Sequence, residues 1–154
     1  MPISAEEQVL AAFIAKIAAI PSSTVADLRV EPEWPAAEGV TEDDLPFVAI
    51  YEGGLQVTDD VTGERSKIQT VIVEGIATGD SQLAARQALD VLRAEIDKAV
   101  TADLTLGVSA RDVTPNPEPQ PAMIALRASV PVHSFARAYD IEYATAETDP
   151  YVIV

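Results

Sequence analysis

The chain has 154 residues, 48% of them hydrophobic, and a formal net charge of −15. A chain of that length fits one domain, 1–154, able to bury roughly 70% of the surface its unfolded form exposes, which excludes global disorder. Ten scattered basic residues against 25 acidic ones exclude direct adhesion to DNA or anionic lipid, and the absence of cysteine excludes disulfides, thiol catalysis and Cys-based zinc sites.

The longest apolar run, Val9 to Ile20, contains Lys16 and is far shorter than the ~20 residues a membrane-spanning helix needs. The acidic start, Met1 to Glu7, does not read as a secretory leader, and intracellular synthesis is the simpler expectation. Ser4-Ala-Glu-Glu7 has the form of a capping box. Val9, Leu10, Phe13, Ile14 and Ile17 then draw a helical stripe. The spacing predicts a first helix from about Ala5 to Ile20, stopped by Pro21, with its Phe13 face on a sheet.

Ser22 to Pro46 reads as an irregular connection, interrupted by Pro32, Pro35 and Pro46 and anchored by Trp34. From Asp27 to Glu64 the acids are Asp27, Glu31, Glu33, Glu38, Glu42, Asp43, Asp44, Glu52, Asp59, Asp60 and Glu64, against Arg29 alone. That asymmetry predicts one strongly negative region, with Glu42, Asp43, Asp44, Asp59, Asp60 and Glu64 as its candidate surface. Phe47 to Tyr51 reads as a short strand ended by Gly53-Gly54. Gly53 to Arg65 then reads as a long loop, or as the tip of an extended hairpin if the strands on either side pair.

Lys67 to Ala77 is β-branched throughout. Ile68, Ile72 and Ile76 lie on one face and Val71 and Val73 on the other, which predicts a strand covered on both sides by packed elements or by a neighbouring subunit. Thr78 to Ser81 breaks it, and Asp80 or Ser81 caps the helix that follows. From Gln82 to Val100, Ala85, Leu89, Leu92, Ile96 and Val100 recur at steps of three and four, the longest helix the chain makes.

Leu104 to Val113 offers a further strand interrupted by Gly107. Thr114 to Pro121 carries Pro115, Pro117, Pro119 and Pro121 in alternation, which favours an extended, non-pairing contact arm. Ala122 to Val132 alternates as a strand. The run with Phe135, Arg137, Tyr139, Ile141 and Tyr143 on one face repeats the pattern, and the two form either a tight hairpin or one bent strand. The whole reads as α+β: a mixed, mostly antiparallel sheet of about four to five strands with two main helices on it.

Chemistry-bearing motifs are absent. Gly79-Asp80-Ser81-Gln82-Leu83 sits on a strand-to-helix turn, but Leu83 replaces the second glycine of a nucleophile elbow, and capping accounts for Ser81. His133, the only histidine, reads as a turn residue. Placing Gly63 at the sixth position of a calcium loop puts Gln69 where the bidentate Glu must stand. No phosphate-cradling glycine motif occurs. The sequence points to a structural or binding protein, neither an enzyme nor a cofactor carrier.

Four short stretches carry a resemblance. They are Leu45 to Tyr51 before a long loop, Val71 to Ala77 leading into the long helix, Thr101 to Gly107 after it, and Tyr139 to Tyr143 with Asp149-Pro150 beyond. Together with the first amphipathic helix, this order resembles the tail terminator, or tail completion, proteins of long-tailed phages and gene transfer agents, the family that includes the lambda minor tail protein U. The match covers most of the chain, and it departs at Val108, where the family commonly has a second glycine. The resemblance implies a virion protein, assembled in the host cytoplasm, that forms a homo-hexameric ring on the tail. Such a ring caps the tail tube protein, stops tube polymerisation and joins a head–tail connector protein, while DNA passes through without specific binding. Six copies at −15 each would carry −90, and such a lumen would repel DNA over a screening length of about 8 Å. Another connector or neck protein, and a small ligand-binding or hydrolytic α+β domain, are the alternatives.

Overall fold

The alternation that makes Lys67 to Ala77 a strand also fixes where the core lies. In the computed structural model, which describes residues 2–31, 40–59, 63–117, 120, 126–127 and 129–154, this segment is the middle of β4 (Glu64–Thr78), the central strand. The other elements are α1 (Ala5–Ala18), β1 (Arg29–Glu31), β2 (Val40–Thr41), a 3-10 turn (Glu42–Asp44), β3 (Phe47–Asp59), α2 (Gln82–Thr101), β5 (Asp112–Asn116), β6 (Leu126–Arg127), β7 (Val132–Ala146) and β8 (Asp149–Ile153). The main sheet runs β1-β3-β4-β7-β5, with β8 added on β7, and β2 pairs with β6 apart from it. All pairings in the main sheet are antiparallel except β1 with β3. The architecture is α+β, as the sequence predicts. No helix among the described residues is long and apolar enough to cross a membrane.

Register sends Lys67, Gln69, Val71 and Val73 of β4 to the same side as Tyr143, Ile141, Tyr139 and Arg137 of β7. Both helices cover this inner face. Ala5, Val9, Phe13 and Ile17 of α1 and Ala85, Leu92, Ile96 and Val100 of α2 are buried there. The Phe13 and Tyr139 rings meet at 5.4 Å between centroids and 53° between planes, a tilted contact of the favourable kind.

Polar side chains on the inner face are tied to the helices. The Tyr139 hydroxyl donates to Asp97 of α2, and Arg137 donates to the other oxygen of that carboxylate at 2.6 Å. At the far end Lys67 reaches Glu6 of α1 at 2.5 Å. Gln69 donates to the Glu6 carbonyl at 3.3 Å, and its own amide oxygen accepts from Tyr143 at 3.2 Å. Each helix is therefore fixed against the sheet by one carboxylate-bearing residue. Burial and, for Tyr139, the hydrogen bond to Asp97 push both tyrosine hydroxyls well above their usual range.

Several sequence expectations need correction. Gly53 to Arg65 is not a long loop but the end of an extended hairpin, the second of its two readings: β3 continues to Asp59, and a bulge between Glu52 and Gly54 lets it bend while Leu55 to Asp59 pair with Arg65 to Gln69. A side chain at Gly53 would meet Ile72 at 2.9 Å, so the glycine marks a close strand approach and not a strand end. Leu104 to Ser109 is a series of turns: Leu106, Gly107 and Ser109 have left-handed φ of 53°, 70° and 63°, too many so close together for a strand to continue. The strand begins only at Asp112 and includes Pro115, paired opposite Tyr139, so this end of the proline run is not a free arm. As a sheet-edge strand, β5 accepts a proline whose missing N–H faces away from the ladder. His133 is the second residue of β7 and not a turn residue.

Smaller differences concern ends. α1 stops at Ala18, before Ile20. Ser81, and not Asp80, caps α2 by accepting from the Ala84 N–H at 3.1 Å, and Ser4 accepts from Glu7 at 3.3 Å. Arg29 to Glu31 and Val40 to Thr41, within the predicted irregular connection, are short strands. Of the first alternating run, the described Leu126–Arg127 pairs with β2. Trp34 and Ala122 to Ala125 lie outside the described residues. On β4 the outer face is covered only towards its C-terminal end, where Ile76 and Glu74 are buried, while Ile68 is 38% exposed.

Two outcomes test this packing. A Cβ on Gly79 would sit 2.6 Å from the Ala85 backbone nitrogen, so Gly79→Ala should lower the unfolding free energy by about 1–3 kcal/mol in urea, without change of slope. Burial alone would raise the Glu6 carboxyl, but the hydrogen bond and charge of Lys67 and the local backbone bond hold it below its ordinary 4.5. The stability it contributes is present above the unfolded-state value and lost as pH falls through the lower folded one. The urea midpoint should therefore drop more steeply with acid in wild type than in Glu6→Gln.

Candidate functional site

Three features compete for the role of a site, and each follows from strand geometry. The first is the predicted acidic surface, which the fold divides. Glu42, Asp43 and Asp44 form the 3-10 turn just before β3, whereas Asp59 closes β3 and Glu64 opens β4. β3, whose thirteen residues run from just after the first group to Asp59 of the second, spans about 40 Å at ~3.3 Å per residue. The sequence signal placed them together because the intervening stretch read as a loop. Asp60 lies outside the described residues.

Within the first group the carboxylates are partnered. Glu42 accepts from the Ser129 hydroxyl at 3.0 Å and from its N–H at 3.2 Å. Asp44 accepts from the Thr41 N–H at 3.0 Å and pairs with Arg29, while Asp43 is exposed. At the other end Glu64 pairs with Arg111 at 2.7 Å. Both groups act as local fasteners, the first joining the β2–β6 pair to the β1 end of the sheet. Of the four prolines, Pro115 is in β5 and Pro117 follows it, and Pro119 and Pro121 lie outside the described residues.

The second feature is the outer edge of β3. Only Phe47 to Ala49 pair with β1, and among the described residues no strand pairs with the rest of that edge. Glu52 to Thr58 are exposed one after another, with Leu55 at 39% and Val57 at 51%. An open edge of this length is a template for another strand, and within the exposed run Glu52 is the one charge that guards it.

The third feature, invisible in the sequence, is a cavity of about 430 Å³ on the outer face below its covered half. Gln56 of β3, Ile68, Thr70 and Ile72 of β4, Asn116 of β5 and Asp140 of β7 line it. Asp140 faces outward because it alternates with the buried Tyr139 and Ile141. It accepts from the Thr70 hydroxyl at 2.8 Å and from the Asn116 amide at 3.1 Å. In the sequence Asp140 is only one of two carboxylates on an alternating strand, beside Glu142, which does not single it out.

The Ser81 oxygen is occupied as the α2 cap, and among the described residues no group of three or more His, Cys, Asp or Glu side chains could hold a metal ion. No protein-family model and no curated protein matches the chain.

The Asp44 contacts lead to a titration. The Thr41 N–H, then the Thr41 hydroxyl and Arg29, outweigh burial and hold its carboxyl below the ordinary 3.8. Carbon-detected NMR should show Asp44 ionising below that value, and Arg29→Gln should move it upward.

Proposed function

We propose that this chain is a tail terminator subunit of a long-tailed phage or a gene transfer agent. It assembles as a hexameric ring on the last ring of the tail tube, stops tube polymerisation and presents the surface that the head–tail connector joins. DNA passes through the ring without being bound. The observation that carries this reading is the open edge of β3, seven consecutive exposed residues from Glu52 to Thr58 that include Leu55 and Val57. Such an edge suits a protein that completes itself against neighbouring copies or a tube subunit. What supports the resemblance is an amphipathic first helix, a strand at Val71 to Ala77 leading into the long helix α2, and closing strands, while the long loop it implies after Tyr51 is strand here. The net charge of −15 fits a surface past which DNA must slide.

Light scattering combined with negative-stain imaging tests the assembly. The expected result is rings of about six copies, alone or capping tube ends, and particles lacking the protein should carry tails of irregular length. A monomer that never associates with itself or with tube subunits would overturn the reading. The same preparation should release duplex DNA fully at low salt, where electrostatic retention is greatest. A second reading, a small ligand-binding domain, is favoured by the outer-face cavity.

A further inference from the structure

The outer-face cavity has a chemistry that selects its occupant. Among the described residues that line it none is basic, and Asp140 alone is acidic. An anion is therefore repelled, both by this carboxylate and by the charge of the whole chain. A divalent ion is also a poor match. Calcium takes six to eight oxygens at about 2.3–2.6 Å, usually from several carboxylates, and the cavity offers one carboxylate in about 430 Å³. That volume lies within the range of small-molecule pockets, roughly 300–1,000 Å³.

Asp140 is held in one orientation from two sides. Its Oδ1 accepts from Thr70 Oγ1 at 2.8 Å and its Oδ2 from Asn116 Nδ2 at 3.1 Å. A carboxylate oxygen has two lone-pair directions, so each keeps one for a ligand. Two parallel acceptors on a fixed plane suit a planar, two-pronged cationic donor. Ile68 and Ile72 provide an apolar wall for an aliphatic stem, and Gln56 adds an amide, with its own acceptor oxygen, to the lining.

We propose that this cavity is a receptor site for a guanidinium group on an aliphatic stem, with Asp140 as the charged anchor. The group comes either from an arginine side chain of a protein or from a free arginine-like small molecule. The described lining residues all come from one chain, so the assignment does not rest on ring assembly, and Gln56 also stands on the open β3 edge.

Titration of the ¹⁵N-labelled full chain with N-acetyl-arginine amide tests it. Saturable shifts are expected at Gln56, Thr70, Asn116 and Asp140. The neutral isostere N-acetyl-citrulline amide should bind at least about tenfold more weakly, the difference between a charge-assisted and a neutral hydrogen bond. Asp140→Asn should weaken the arginine compound by a similar factor, and the citrulline comparison stands even if that variant does not fold. Tighter binding of the blocked compound than of free arginine or agmatine points to a protein side chain, and the reverse order to a small molecule. Absence of saturation, shifts elsewhere, or equal affinity for the citrulline compound would overturn the proposal.

Discussion

Every second side chain of β4 and β7 must be buried by the same two helices, and this requirement organises the molecule. Because the register between the strands is continuous from Glu64 opposite Ala146 to Thr78 opposite Val132, a slip of one residue would turn all the inner side chains outward. The apolar layer alone does not fix where α1 and α2 lie along the strands. Directional contacts do that: Asp97 holds Tyr139 and Arg137 at one level, and Glu6 holds Lys67 and Gln69 at another. Burial supplies the larger driving force, and these few partnered polar groups choose one arrangement within it.

The same geometry leaves surfaces unfinished. The helices cover one face, so the opposite face and the sheet edges must be closed by other parts of the chain or by other molecules. Towards the C-terminal end of β4, the cluster of Phe47 and Ala49 with Leu45 and Tyr51 joins Ile76 and Glu74 below solvent. Towards its N-terminal end Ile68 stays exposed, and β3 runs on past its last contact with β1. A strand that outlasts its neighbour exposes backbone donors and acceptors in a row, which is costly to maintain in a monomer without protective charges. The assembly reading and the cavity proposal both start from this incomplete half.

Legibility from sequence followed the strength of the local periodicity. Phe13, Leu92 and Ile96 fell on unambiguous helical stripes, and Tyr139, Ile141 and Tyr143 on a clean alternation, so the core was readable. Gly53-Gly54 misled, because paired glycines usually end a strand, and here they accommodate a bulge and the side chain of Ile72. Leu104 to Val113 misled in the opposite sense. Its alternating apolar residues suggest a strand, while positive φ at Leu106 and Ser109, a backbone choice made by tertiary context, turns it into successive bends. The Asp140 cavity was not readable at all, since Thr70, Asn116 and Asp140 lie on three strands and meet only through register.

The division of the acidic groups changes what net charge means for this protein. With Glu42 to Asp44 and Glu64 at opposite ends of a strand about 40 Å long, negative charge is not focused on one patch. The outward-facing residues between them on β3 and β4 include Gln56, Thr58, Thr70 and Ser66, which are neutral. If copies of this sheet stand side by side around an axis with the hairpin along it, the acids form two rims separated by a neutral band. A polyanion moving along such a wall meets repulsion at entry and exit and few donors between them. With a screening length of about 8 Å, each rim acts within its own neighbourhood and not across the full strand. Passage without adhesion then depends on the shortage of unpaired bases along the strand as much as on the excess of acids. Arg29 and Arg111 are each drawn into a carboxylate pair at the two ends, and Lys67 is turned inward to Glu6.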